Sequence, residues 1–340
     1  MDDRRGVATA GTWCVDTNKT IDAWPAEDTT NEILAMDRQG GGSGCNMAID
    51  LKRLDPAIPV ETMGLVGDDD DGRFLLAQCD AFGVERTGLL SLPGGATMSV
   101  DAFNVLSTGR RTHFYHQGVT ALMSPEHFDF SRSRARFLHL GIPGGHARMD
   151  APWRGEANGW VATLRAARQC GLATNLELMS TSRERIAALA RPCLPHLDLL
   201  IVNDFEIGAL ADVETRDANG ANAKAIARAV DAALSLGAMR LVVAHFPEGA
   251  IAATREGGRF ALGSVAMPKD AVAGVNGAGD AFAAGMLYGV HEGWPIEKGL
   301  RLAHACAAAS MRAVSTTARV APVAECLALA EKWGLRPAPA

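Results

Sequence analysis

The sequence has no run of about 18 apolar residues, so no membrane span is expected. Its opening, Met1-Asp2-Asp3-Arg4-Arg5 followed by Gly-Val-Ala-Thr-Ala, lacks the continuous apolar stretch of a secretory leader. Cysteine occurs seven times, at 14, 45, 79, 170, 193, 306 and 326, an odd and scattered set with no CxxC pair. That usage argues against a zinc site and fits reduced thiols buried as small hydrophobes, hence a cytoplasmic location. An excess of basic residues is also missing. Against 33 Lys and Arg stand 39 Asp and Glu, a formal charge of −6, which excludes the footprint of a dedicated nucleic-acid binder. A small anionic substrate stays open, because a few local dipoles outweigh net charge. There is no internal repeat, low-complexity tract or long linker.

What is present is a globular composition, 48% hydrophobic and 21% charged over 340 residues. Apolar runs of strand length (Val60–Val66, Phe137–Leu140, Leu172–Leu176, Leu197–Val202, Leu241–Ala244) alternate with helical patterns. The helices are expected at Asn46–Leu54, Gly72–Phe82, Trp160–Cys170, Arg183–Ala190, Ala221–Leu236, Ala278–Val290 and Ile296–Val314. Such alternation predicts an α/β fold, a mostly parallel sheet covered by helices on both faces. Two stretches break the rhythm. Thr97–Leu106 and Arg111–His116 flank a Ser-Thr-Gly-Arg turn and read as a hairpin, and residues 12–37 look extended. They are expected to form a small β-sheet lid on a single domain over 12–335, with tails at 1–11 and 336–340.

The most informative stretch is Gly274-Val275-Asn276-Gly277-Ala278-Gly279-Asp280, leading straight into a helical pattern. Glycines let backbone approach an anion, and the first helical N–H groups have no acceptor within the helix. Asp280, in the first turn, is placed to take a proton from a hydroxyl beside the same anion; Asp near a helix start is also favoured by the dipole alone. The stretch is not a P-loop, since GxxxxGK[ST] is absent. Phe282 stands where GxGxxG needs its third glycine, which disfavours a dinucleotide site and an NAD-dependent enzyme.

Elsewhere, Asp68–Asp71 reads as a capping or solvated loop ahead of a helix rather than a metal cluster. His113 and His116 have odd spacing and fall on opposite strand faces, so joint metal ligation is disfavoured. Arg110, Arg111 and His113 lie where either anion contacts or plain surface charge would account for them.

Four segments in register resemble the ribokinase-like (PfkB) carbohydrate kinases: Gly41-Gly42-Ser43-Gly44-Cys45-Asn46-Met47-Ala48, Val66-Gly67-Asp68-Asp69-Asp70-Asp71-Gly72 with Gly83-Val84, Asn203-Asp204-Phe205-Glu206, and Gly277-Ala278-Gly279-Asp280-Ala281-Phe282. The resemblance implies a ribokinase-like α/β/α sandwich and ATP-dependent phosphorylation of a sugar-like alcohol. It implies Asp280 as catalytic base and the amides of Gly277, Ala278 and Gly279 as anion hole. It places Asp16, Gly41, Gly42 and Asn46 at the sugar. Asn203 and Glu206 would organise Mg²⁺ beside ATP, Glu206 through water, and His304 would touch the nucleotide. Gly274-Val275 stands in place of the family's Asp-Thr, so monovalent-cation dependence is not carried over. That departure leaves open a catalytically impaired sugar- or nucleotide-binding sensor or regulator. The turn His245–Gly249 also departs from the family's pattern. Ribose, a hexose, a keto-deoxy sugar acid, a nucleoside and a phosphosugar remain alternatives for the acceptor, and a homodimer through the lid is implied as well.

Overall fold

Alternate residues of the buried strands feed two different cores. Leu199 and Ile201 join one, Leu200 and Val202 the other, and Leu241 and Val243 divide from Val242 and Ala244 in the same way. A sheet with both faces apolar has to be covered twice. The computed structural model, which describes residues 4–218 and 220–340, shows how. Nine strands run in the order β15 (Arg259–Gly263), β14 (Gly249–Thr254), β13 (Leu241–Phe246), β10 (Leu199–Asn203), β9 (Ala173–Leu176), β8 (Phe137–Gly141), β1 (Val7–Gly11), β4 (Val60–Gly67) and β5 (Glu85–Leu92). Pairing is parallel from β5 to β13, and β14 and β15 add an antiparallel edge.

One face is covered by α1 (Ser43–Leu54), α2 (Asp70–Phe82), α8 (Ala278–His291), α9 (Ile296–Ser310) and α10 (Val323–Trp333). The other is covered by α4 (Gly159–Gln169), α5 (Arg183–Ala190), α6 (Asp204–Ala211) and α7 (Ala223–Leu236). The chain also forms the short α3 (Ala147–Asp150) and the two-residue pair β11 (Arg216–Asp217) and β12 (Gly220–Ala221). The α/β/α sandwich expected from the sequence is therefore present. The Ala-rich α9 serves close packing, with Ala305, Ala308 and Ala309 all buried.

A second sheet, ordered β3 (Ala35–Gly41), β2 (Cys14–Ile21), β6 (Met98–Val105) and β7 (Arg110–His116), is the lid. Its register separates two faces. Asp16, Asn18, Gln39, Asn104, Arg111 and His113 fall on one; Lys19, Arg38, Asp101, Phe103 and Phe114 fall on the other.

Several expectations need correction. Residues 7–11 belong to no tail: they are β1, a fully buried strand between β8 and β4. Its Val-Ala-Thr-Ala-Gly sequence carries little bulk, which is why propensity missed it. Of the expected C-terminal tail 336–340, the first residue is anchored, the Arg336 N–H donating to Ser264 O at 2.8 Å. The lid strand β3 runs to Gly41, beyond the expected end of the extended stretch at residue 37. Helix α9 stops at Ser310, not Val314, because Ser310 Oγ turns to bond Thr316 O at 2.9 Å and the chain folds back. Strands β5, β14 and β15 and helix α10 are present in addition to the expected elements.

Candidate active site

The parallel strands deliver their C-terminal ends to one edge, where β1 separates strands that run off to either side. Ligands of open α/β sheets bind at such a switch point. Here Gly11, Gly67, Gly141, Glu177, Asn203 and His245 all lie at or just beyond strand ends. The lid grows out of this edge.

Asp280 stands in the first turn of α8, behind Gly277, whose φ of 73° is open to glycine. A Cβ at Gly277 would also lie 2.7 Å from Thr316 O, so the turn tolerates no side chain. Among the described residues, the N–H groups of Gly277, Gly279 and Asp280 meet no acceptor, and that of Ala278 reaches Val275 O only at 3.4 Å. The open donors are therefore those of 277, 279 and 280 rather than 277–279 alone.

The carboxylate of Asp280 is held from behind. Asn46 Nδ2 donates to Asp280 Oδ2 at 2.7 Å, and Thr316 Oγ1 donates to Asn46 Oδ1 at 3.2 Å. The Thr316 N–H in turn donates to Gln39 Oε1 at 3.1 Å. Asn46, expected at the sugar, thus has its observed bonds to Asp280 and to Thr316. Burial pushes the Asp280 carboxyl up to about 7, and the charge of Glu177 adds to it, against the Asn46 hydrogen bond and His139.

Glu177 went unread in the sequence. Its Oε2 shares a 2.7 Å hydrogen bond with Nε2 of the fully buried His139, and burial raises its carboxyl to about 8. Burial lowers His139 to about 4, so the ring is neutral at pH 7. Gln39, Thr316 and His139 were also missed, since nothing local in the chain marks them.

Asn203 and Glu206 form a reciprocal cap on α6. Asn203 Oδ1 accepts from Glu206 N at 2.9 Å, and Glu206 Oε2 accepts from Asn203 N at 3.0 Å. The pair thus starts a helix, and it also lines a cleft of about 220 Å³ together with Ser180, Glu177, Gly279 and Asp280. Burial raises Glu206 to about 7, opposed mainly by its bonds to Asn203 N and Ser180 Oγ.

A second cleft of about 400 Å³ adjoins the first, and both touch His245 and Gly279. Its walls are mostly apolar, with Val265, Met267, Phe282 and Met311, and Lys269 and Arg336 supply cations. His304 lines it, 4% exposed, with an Nε2 that has no partner. Val275 lines it too, 67% exposed.

On the other side, Asp16 is charge-coupled to Asp280 and to Arg111 on β7, and its carboxyl rises to about 6, chiefly through burial. Gly41 lies opposite Cys14 in the β2–β3 register, and a Cβ on it would fall 2.2 Å from Asp16 Oδ2. Gly42 is the N-cap of α1, at φ 88°.

The acidic run Asp68–Asp71 is structural. Asp69 caps α2 by accepting from Gly72 N at 2.8 Å and also holds Thr97, while Asp68 and Asp70 pair with Arg73 and Asp71 with Arg38. No group of three or more His, Cys, Asp or Glu among the described residues is arranged to hold a metal by itself. His113 and His116 do fall on opposite faces. No helix among the described residues is long and apolar enough to cross a membrane.

Two clefts meeting at one acidic, amide-lined turn under a polar lid are the layout of a kinase for small alcohols. Residues 10–323 match the pfkB family carbohydrate kinases, and the chain belongs to that family. It is 28% identical over 323 residues to an ATP-dependent ribose-1-phosphate kinase of Halopiger xanaduensis, covering 95% of this chain and 96% of that one. Identity is 25% over 304 residues to a 5-dehydro-2-deoxygluconokinase of Geobacillus kaustophilus, covering 87% and 85%. The fold is that of Arabidopsis thaliana ribokinase, solved with ribose and ATP (TM-score 0.76, 20% identity, 96% and 98% covered). A putative ribokinase II from E. coli, solved with ATP and Mg²⁺, superposes with a TM-score of 0.78 at 18% identity, covering 96% and 99%. The protein is a carbohydrate kinase.

Proposed function

We propose that the protein transfers the terminal phosphoryl group of ATP to a hydroxyl of a sugar-like acceptor, with Asp280 as general base. One observation carries this reading: a buried carboxyl raised to about 7 sits in the same turn as unpaired N–H groups, where two clefts meet. A base whose pKa lies near the working pH accepts a proton most effectively. The acceptor hydroxyl approaches from the lid side, under Asp16 and Gly41, and gives its proton to Asp280 as its oxygen attacks. The open amides of Gly277, Gly279 and Asp280 stabilise the charge gathering on the transferred group. Asn46 fixes the carboxylate, so that little reorganisation is needed. Closure of the lid excludes water, the competing nucleophile.

The nucleotide fits the 400 Å³ cleft, whose apolar walls suit a base and whose orphan His304 Nε2 offers it a polar contact. The carboxyls of Glu206, Glu177 and Asp280 around the smaller cleft fit a hydrated divalent cation, with Asn203 and Glu206 as its outer partners. Mg²⁺, when bound with ATP, neutralises phosphate charge. Monovalent-cation dependence finds no support at Gly274-Val275. The lid's outer face, where Trp24 stacks on Phe114 at 6.1 Å and Phe103 meets Phe114 edge-on at 6.0 Å, supports a homodimer through the lid, which light scattering tests.

The test is a coupled ADP assay with ATP, Mg²⁺ and a panel of sugars, sugar acids, nucleosides and sugar phosphates, with product identification. Turnover that Asp280→Asn abolishes is the expected result. Ligand binding without turnover for every acceptor would favour the sensor reading, for which the exposed Val275 in the nucleotide cleft is the supporting observation.

A further inference from the structure

Three parts of the site meet at Thr316, six residues beyond the end of α9, and each is met by a different group of that residue. Its N–H donates to Gln39 Oε1 on the lid strand β3 at 3.1 Å. Its hydroxyl donates to Asn46 Oδ1 on α1 at 3.2 Å, and Asn46 Nδ2 donates in turn to Asp280 Oδ2 at 2.7 Å. Its backbone closes behind Gly277, where a Cβ would lie 2.7 Å from Thr316 O. Thr316, Asn46 and Gln39 are all buried, so bulk water does not compete for these bonds.

Folding the loop does not call for all of this. The bond from Ser310 Oγ to Thr316 O, at 2.9 Å, already turns the chain back after α9. The N–H and the hydroxyl of Thr316 are directed elsewhere, to the lid and to α1. Gln39 shows the same bias. Its Oε1 takes the Thr316 N–H while its Nε2 is buried without a partner. An apolar side chain of the same length would fill that space with no donor left unpaired, so what the amide adds is its oxygen.

The consequence falls on Asp280. An ionised carboxylate only accepts, so Asn46 has to present Nδ2 to it, and Asn46 Oδ1 is left in need of a donor. Among the described residues, the donor that meets it is Thr316 Oγ1. Without that hydroxyl the amide oxygen is buried and unpaired, and rotation of Asn46 towards another donor releases the carboxylate. The hydroxyl sets the amide, the amide sets the carboxylate, and Gln39 holds the main chain that carries the hydroxyl. The far end of this relay reaches the lid strand pair: Gln39 stands directly across from Asp16 in the β2–β3 register.

We infer that Thr316 and Gln39 are positioning residues for the phosphoryl transfer, forming with Asn46 a buried relay that fixes the Asp280 carboxylate from the root of the lid. The inference rests on the kinase reading for the role of Asp280, whereas the geometry of the relay is testable apart from it.

The experiment begins with Thr316→Val, which keeps the shape, the N–H and the carbonyl and removes the hydroxyl. Its kcat should fall about 10- to 100-fold, the cost of a misplaced reacting group, with KM for ATP and acceptor changed only a few-fold. Thr316→Ser, which returns the hydroxyl, should restore most of the loss. Gln39→Met should lower kcat in the same way, and it carries the test if Thr316→Val does not fold. Thr317→Val, buried beside the relay but outside it, should leave kcat unchanged. In the Asp280→Asn background Thr316→Val should cost nothing further, because the relay acts through that carboxylate alone; a merely structural threonine would lower both backgrounds alike. Near-parental kcat in Thr316→Val or Gln39→Met, a loss that Thr316→Ser leaves in place, or equal losses in both backgrounds would overturn the inference. Absence of turnover with every acceptor would instead count against the kinase reading. Crystal structures of the two variants then decide the relay: Asn46 swung away from Asp280 supports it, and Asn46 still at hydrogen-bond distance refutes it.

Discussion

Replacing Asp280 by Asn removes the proposed base and little else. The amide oxygen still accepts from Asn46 Nδ2, so the tie between α1 and α8 survives, as does the open N–H array of the turn. A positioned general base contributes about 10²- to 10⁴-fold, or ~3–5 kcal/mol of barrier. The variant should therefore lose two to four orders of magnitude in kcat, with KM for ATP and acceptor changed only a few-fold. In the parent enzyme, a base titrating near 7 makes kcat/KM rise with pH and level off above neutrality. Two pH units below the midpoint, about 1% of the base is ionised and the rate falls ~100-fold. Glu177 and Glu206 border the same cleft, so the midpoint belongs to the coupled set. Stability gives an independent readout. The carboxyl ionises near its ordinary 3.8 in the unfolded chain and about 7 in the folded one, so its contribution is present below 3.8 and lost as pH rises through 7. Asp280→Asn should accordingly gain melting temperature relative to the parent at pH 8 and show little gain near pH 4. Near-parental turnover, or an acid limb with the same midpoint persisting in the variant, would refute the assignment.

Gly279→Val should raise KM for ATP at least tenfold while the protein still folds, because a Cβ there meets His245 only at 3.4 Å whereas the branches reach into both clefts; unchanged ATP kinetics would remove the turn from phosphate binding. Asn203→Ala should cost about 1 kcal/mol as a lost helix cap and, beyond that, raise the Mg²⁺ concentration needed for half-maximal rate; a purely thermal effect would leave the pair structural only. Asp50, on α1 and wholly buried, has neither carboxyl oxygen bonded, and burial holds its pKa well above the usual range. By the same linkage its stabilising contribution falls with rising pH, so Asp50→Ala should raise the melting temperature more at pH 8 than at pH 5, and a loss at both would show that the carboxyl has a bonded role.

The parts of the site that were legible in the sequence are those whose geometry is local. Gly277 to Asp280 and Asn203 to Glu206 are short spacings in which a glycine turn or a cap leaves its own signature. The lid was legible too, since its hairpin interrupts a helix–strand alternation. Contacts of long range were not. The bond from Asn46 to Asp280 spans 234 positions, that from Thr316 to Asn46 spans 270, and that from His139 to Glu177 spans 38. No periodicity reports such pairs; only the folded topology brings them together. Strand β1 was lost for a different reason: its Ala and Thr residues owe their burial to neighbouring strands rather than to their own hydrophobicity, and tertiary context overrides propensity there.

The lid enters the chain as two separate excursions, β2–β3 between β1 and α1, and β6–β7 between β5 and β8. Each leaves the central sheet at a strand's C-terminal end and returns before the next core element. On the proposed reading, acceptor preference should be exchangeable between relatives by grafting two cassettes, with every wall of the cleft lined by His245, Phe282 and His304 left in the host. A single-cassette graft would pair mismatched strands, β2 of one parent against β6 of the other, and the seam between them is where such a chimera would fail.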